Sequence, residues 1–475
     1  MRLKTVFCAT AAIAVIAAVF IPTLAYAQVI TAKSRETTLF EAKTKAGDVT
    51  VVKEKDGINI RLAVNGQLKA FTGDGTARRA HYPFLLAPDP KNALIVGAGS
   101  GASVVAALAN GVKNVTVVTG GAELWKAASF FNEGAISATP DAKVKAINVD
   151  AASWLKKPEG KYDVIITGLA SLDTLDSPEM LTVETFQQLR SLLAPGGFVA
   201  QWVRLGSVEF PDFQKTMASF FAAFPEATVW SGDINPVNSW VLLLGSEKPL
   251  ALDAEKVQAR LKNLEPMNDM AEGRNVYSFL SFYIAGAKAL APLTENIPVH
   301  TDERPTLVKK TIDPADEGPR SSEIFLTLVN YRAPVTDRTS AGEAVKEKLV
   351  SYFKGRSTLL AGRRVAIAGA AEKEIALYDK ALENAPEDPH IALSYMALGM
   401  AYYRSGLYEN AAGLLEKSKK IAPDKPAIRF YLGKTYEKMG HAAKANEEFN
   451  AVREYAPEYM ERVIIEPKKG SEPIK

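Results

Sequence analysis

The run "NALIVGAGSGAS" at residues 92–103 leaves this chain few ways to fold. Its first half is apolar without alternation, so both faces of the strand it predicts must be buried. A sheet covered by helices on both sides does that, and it needs parallel strands joined by crossovers. The second half sets glycines at 97, 99 and 101, where a strand turns sharply into a helix. That helix, "SVVAALANG", stops at Gly111. Strands follow at "NVTVV", "VKAINV", "YDVIIT" and "GFVAQWV". An amphipathic helix, "VETFQQLRSLLAPGG", is halted by Pro195-Gly196-Gly197, and "ATVW" with "SWVLLLGS" reads as a closing hairpin. Residues 81 to about 245 are therefore expected to form a doubly wound α/β sheet.

On the amino-terminal side, residues 35–80 alternate like a small β unit. Asp56-Gly57 and Asn65-Gly66 are hairpin signals between β-branched runs. A sheet this small is expected to lean on the larger domain. Residues 1–27 read as an export signal: Arg2 and Lys4 precede a long apolar core, and Ala-Tyr-Ala precedes Gln28. The alternative is a single uncleaved membrane anchor. Cleavage puts the protein in the periplasm or otherwise outside the cytoplasm. The only cysteine is Cys8, so no internal disulfide forms.

Residues 250–315 read as helical and then irregular. From about 340 to 460 the chain is helical and repetitive. Gly362, Gly399 and Gly433 recur at the same two intervals as Pro386, Pro423 and Pro457. "LGMAY" at 398–402 matches "LGKTY" at 432–436, and Ala411 precedes Leu415 as Ala445 precedes Phe449. This spacing is the tetratricopeptide pattern, with two good repeats and a weaker first one at about 342–386; the alternative is a plain helical hairpin. Stacked repeats form a groove lined by the first helix of each pair. By register Met396, Met400, Tyr403 and Arg404 line it from one repeat, and Phe430, Lys434 and Lys438 from the next. Cations beside aromatics suit an acidic or C-terminal peptide segment of a protein partner. The same positions can equally be a solvated helical face. Residues 461–475 form a polar tail.

The order of motifs over residues 35–315 resembles the spermidine synthase (polyamine aminopropyltransferase) family, and most closely its bacterial branch fused to membrane segments. The resemblance rests on "HYPFLLAPDPKNALIVGAGSGAS", "VKAINVDAASWL", "KYDVIIT", "SPEMLTVETFQQLRSLLAPGGFVAQWV" and "HTDERPTLVKK". It implies a Rossmann-like sheet of the S-adenosylmethionine-dependent methyltransferase type. It also implies a site for decarboxylated S-adenosylmethionine or methylthioadenosine, and for a polyamine. Gly97, Gly99 and Gly101 would face the adenosyl group, and Asp150 would accept from the adenine amine.

Two departures stand out. Where the family carries the acid that grips the ribose hydroxyls, this chain has Thr119, and a second acid falls on Gly121. Glu123 follows on the opening turn of the next helix, where acids also serve as caps. "YDVII" leads in the family to Asp-Ser-x-Asp, whose first acid deprotonates the attacking amine. Here Thr167 and Gly168 follow, with Ser171 at the second acid's place. Asp173 and Asp176 share that loop, and Asp173 is the candidate substitute base if the loop folds inward; otherwise both are exposed loop acids.

Other chemistries find little support. The four histidines are isolated, which gives no metal site. His81 reads as a packed strand-edge residue. No Gly-x-Ser-x-Gly or Walker A sequence occurs. A net charge of +3 with scattered basic residues does not suit nucleic acid. The expectation is an exported protein with degenerate catalytic motifs, a nucleoside site and a partner-binding tail. The alternative is an active aminopropyltransferase.

Overall fold

The computed structural model describes residues 36–45, 47–54, 59–73, 75–131, 143–169, 174–264, 275–310, 312–367, 369–457 and 459–460. The leader at 1–27, the Asp56-Gly57 turn, Ser171, Asp173 and the 461–475 tail lie outside them. The chain divides into two compact units between Phe353 and Lys354.

The first unit opens with four antiparallel strands in sequential order: β1 (Thr37–Thr44), β2 (Gly47–Lys53), β3 (Ile60–Val64) and β4 (Gln67–Phe71). Asn65 and Gly66 turn β3 into β4 with φ of 52° and 73°, the geometry an Asn-Gly pair supplies at least strain. One face of this meander buries Val49, Val51, Leu62 and Ala70. Four short strands cannot close a core alone. The face is completed by Leu124, Ala127 and Phe130 of the α/β domain.

Helix α1 (Thr76–Leu86) follows, then β5 (Asn92–Val96), α2 (Ala102–Ala109), β6 (Asn114–Val118), α3 (Ala122–Ser129), β7 (Lys143–Ile147), α4 (Ala151–Leu155), β8 (Tyr162–Thr167), α5 (Val183–Ser191) and β9 (Leu193–Arg204). Next come α6 (Phe210–Ala223), β10 (Thr228–Ser231), β11 (Trp240–Ser246), α7 (Ala254–Asn263), α8 (Val276–Leu280), β12 (Tyr283–Gly286), α9 (Ala291–Thr294) and α10 (Pro314–Val329). The eight strands run in the order β12-β10-β11-β9-β8-β5-β6-β7. β7, β6, β5, β8 and β9 are parallel, and β11, β10 and β12 add antiparallel pairs. Ala93, Leu94 and Ile95 of β5 are buried, as their unbroken apolar run requires. β5 leads to β6 on one side and pairs β8 on the other, so the topological switch point lies beside it. Ligands of such sheets bind there, outside the carboxyl ends of the strands.

Two elements differ from the sequence reading. His81 lies within α1, not at a strand edge. That helix is buried nearly all round, from Arg79 to Leu86, so it lacks the one-sided apolar stripe that marks a surface helix. The stretch read as helical beyond 250 contains β12, a four-residue edge strand too short to show alternation.

Helix α11 (Glu343–Ile367) carries the chain into the second unit, whose helices are α12 (Ala371–Asn384), α13 (Pro389–Arg404), α14 (Tyr408–Ile421), α15 (Pro426–Lys438) and α16 (Ala442–Tyr455). Their crossings are tight at the recurring glycines. A Cβ on Gly362 would stand 2.7 Å from Tyr378, on Gly399 2.9 Å from Leu415, and on Gly433 2.7 Å from Phe449. Any side chain there would push the paired helices apart.

Candidate functional site

The register of β5, β6, β7 and β8 brings three positions flagged from the sequence, Gly97, Thr119 and Thr167, to one edge. Val96 pairs with Val118 and Val118 with Ile147, so Gly97, Thr119 and Asn148 are the next residues out from adjacent strands. Thr167 ends β8 and pairs with Gln201 of β9.

The glycine turn has the expected geometry. Gly97, Gly99 and Gly101 have φ of 94°, 51° and 75°, which only glycine adopts without strain. Gly97 N donates to Val118 O at 2.7 Å, fixing the turn to the neighbouring strand. A small recess, partly open to solvent, lies against it. Thr76, Ile95, Gly97, Ser100, Ser103 and Leu169 are among its lining. Its interior has room for about one water.

Thr119 is buried, and its hydroxyl is already engaged. Its Oγ1 donates to Gly121 O at 2.7 Å and accepts from Gly121 N at 3.2 Å. Asp150 is exposed and caps α4, accepting from Ser153 N at 2.7 Å. Hydrogen bonds from the Ser153 hydroxyl and amide hold its carboxyl below the ordinary aspartate value.

The end of β8 holds a buried polar pair. Thr167 and Gln201 are both buried, and Thr167 Oγ1 donates to Gln201 Oε1 at 2.5 Å. Gln201 Nε2 donates to Trp202 O at 2.8 Å. Gly168 has φ of 77°, and a Cβ on it would stand 2.2 Å from that same Trp202 carbonyl oxygen. Gln201 was not singled out from sequence; its strand parity with Thr167 was the available signal.

Asp176 is half-buried between two lysines: Lys69 Nζ at 2.7 Å and Lys309 Nζ at 2.5 Å. Burial acts to raise its pKa, but the hydrogen bonds from Lys309 and Lys69 outweigh it and leave the carboxyl below its ordinary value. A carboxylate so held is a weak proton acceptor.

His300 organises the closing "HTDERPTLVKK" element. Its Nδ1 accepts from the amides of Thr306 and Leu307 at 2.9 and 3.2 Å, which leaves Nε2–H to donate to Pro178 O at 3.0 Å. Burial lowers its pKa and keeps the ring neutral. Among the described residues no His, Cys, Asp and Glu cluster could hold a metal ion, and no helix is long and apolar enough to cross a membrane.

Residues 78–248 match the spermine/spermidine synthase domain. The chain is 30% identical over 219 residues to polyamine aminopropyltransferase 1 of Streptomyces coelicolor, covering 42% of this chain and 40% of that one. It is 25% identical over 236 residues to a polyamine aminopropyltransferase of Caldicellulosiruptor saccharolyticus, covering 46% and 82%. Spermidine synthase from Thermotoga maritima aligns with a TM-score of 0.39 at 16% identity, over 56% of this chain and 82% of that one. The first of these relatives is thus matched over less than half its length.

In the second unit, Met400 and Tyr403 are half-buried on α13, and Arg404 is exposed at its end. Tyr403 meets Tyr431 with ring centres 6.4 Å apart. Lys434 is half-buried and pairs with Glu437 at 3.1 Å, while Lys438 is exposed. Phe430 is a correction: it is buried with Val452 and Met460 and packs between helices instead of facing an open groove.

Proposed function

We propose that the α/β domain is a nucleoside-binding relative of the aminopropyltransferases that has given up the amine-activating step. The observation that carries this reading is the buried Thr167–Gln201 pair beside Gly168. A primary amine is almost wholly protonated at neutral pH and attacks only after losing a proton. The group best placed to take it would stand at the end of β8, and that end holds a neutral, fully hydrogen-bonded pair. Asp176 on the following loop is committed to Lys69 and Lys309. The glycine turn, which needs no carboxylate to meet an adenosyl group through its backbone, supports retained binding. Decarboxylated S-adenosylmethionine or methylthioadenosine is the ligand class this reading favours.

The reading extends to the rest of the chain. The helical pairs act as tetratricopeptide repeats that recruit a protein partner, with Met400, Tyr403, Arg404, Lys434 and Lys438 facing it. The leader directs export. The relatives' names favour a second reading, an active polyamine aminopropyltransferase that uses Asp173 as base. Calorimetry of the mature protein with both adenosyl ligands, alongside an assay for spermidine formed from putrescine, separates the two. Binding without turnover is the expected result. Turnover abolished by Asp173→Asn would establish the enzyme.

A further inference from the structure

We infer that the Arg79 guanidinium occupies, from within the chain, a site built for an organic cation beside the recess, and so denies that site to a free amine. This rests on the reading above and deepens it: the amine loses its place as well as its activation.

Arg79 stands near the start of α1 and is 2% exposed, a degree of burial that arginine rarely reaches. Its Nη1 donates to Asp233 Oδ2 at 3.0 Å, and its Cζ lies over the Trp240 ring, 4.7 Å from the centre. A carboxylate on one side and an indole face on the other are the two surfaces that recognise an alkylammonium or guanidinium ion. Two glycines clear the space. A Cβ on Gly75 would stand 2.9 Å from Arg79 Nη1, at the head of the side chain. A Cβ on Gly232 would stand 3.1 Å from Arg79 Cδ and 2.9 Å from Trp202 Cζ3, so the stem needs Gly232 bare. Thr76, next to Gly75, lines the recess, and Trp202 follows Gln201 in β9. The site therefore adjoins both the recess and the end of β8.

Charge balance does not call for Arg79. Arg78 Nη2 already donates to Asp233 Oδ1 at 2.6 Å and to Gly232 O at 3.0 Å, so Asp233 has a counterion without it. Packing does not call for it either, because a buried ion pair adds little stability over an apolar side chain of like volume. What these walls select is a cation on a short alkyl stem, the form of a primary amine or an alkylguanidine. Arg79 delivers that cation on a tether, at a local concentration a free amine does not match.

Arg79→Ala in the full mature chain removes the occupant and leaves its walls. Calorimetry then uses three probes: ethylguanidinium, which restores the atoms lost beyond Cβ, putrescine as a diamine, and ethylurea as a neutral counterpart. The variant is expected to bind both cations at least about tenfold more tightly than wild type, and ethylurea no better. Asp233→Asn in the same background should remove the gain. Arg79→Gln, neutral but with a stem that still packs, guards against loss of the fold and should gain affinity for methylammonium. Thermal unfolding shows which variants are folded. If the folded variants gain no affinity for a cation, the assignment is overturned and the nucleoside reading stands. If wild type already binds putrescine as tightly as Arg79→Ala does, Arg79 blocks nothing, and the active-enzyme reading is favoured instead.

Discussion

Thr167 Oγ1 and Gln201 Oε1 are 2.5 Å apart across two buried parallel strands, and the pair is closed on itself by the bond from Gln201 to Trp202 O. Thr167→Val keeps the shape but strips Gln201 of its donor, which should cost about 1–3 kcal/mol. Thr167→Asp sets a charge against an acceptor in a dry site and should cost about 3–5 kcal/mol at neutral pH. Its carboxyl pKa would rise, so the deficit should shrink on acidification, when the protonated acid can donate to Gln201. Urea unfolding at pH 7 and pH 5 reads this difference. A deficit that does not change with pH would mean that water reaches the position.

The Lys69–Asp176–Lys309 clasp joins β4, the loop after β8 and the closing element. Because the folded carboxyl is held below its unfolded value, its stabilisation is complete above the unfolded pKa and fades as pH falls through the folded one. Asp176→Asn should therefore lower stability near neutrality by about 1 kcal/mol, discounted for solvent screening. It should also flatten the acid limb below about pH 4. Raising salt should narrow the gap to wild type. The check is a set of urea midpoints across pH 3–7 at two ionic strengths.

The sheet was readable because its signals are local and strong. The unbroken apolar β5, the glycines after it and the Pro-Gly-Gly stop each leave one conformation. Helix α1 was not readable, since burial on every side erases the amphipathic period and Pro83 looks like a breaker. The missing acids at Thr119 and Thr167 were visible by register with the resembled family. What stands in the second place was not: the Thr167–Gln201 bond joins residues 34 apart. Phe430 was misplaced because periodicity fixes the helix face but not what later packs against it.

His81 in α1 is buried, and its Nδ1 accepts from Asn110 Nδ2 at 2.9 Å while that same amide donates to Ala106 O. Burial lowers its pKa from 6.5 to about 4. The unfolded chain thus takes up a proton before the folded one does. Stability should fall as pH drops from about 6.5 toward 4 and level off below, by up to about 3 kcal/mol. His81→Asn, whose Oδ1 can accept from Asn110, should be less stable at pH 7 but lose this slope. Chemical denaturation from pH 4 to 8 measures both.

Gly433 of α15 and Gly413 of α14 predict opposite signs for the same substitution. A methyl on Gly433 would meet the Phe449 ring at 2.7, 2.9 and 3.0 Å, whereas one on Gly413 would meet nothing within 4 Å. Glycine inside a helix costs about 1 kcal/mol relative to alanine, so Gly413→Ala should stabilise the helical unit by about 0.5–1 kcal/mol. Gly433→Ala makes the same backbone gain but must push α15 and α16 apart, for a net loss of about 1–3 kcal/mol. Phe449→Leu should recover part of that loss in the Gly433→Ala background, because the smaller side chain leaves room for the methyl, and should lower stability on its own by leaving that space empty. Hydrogen exchange of the α15 and α16 amides in the full chain, read for the two single variants and the double, gives the coupling. Additive effects would show that the helices do not touch at this crossing.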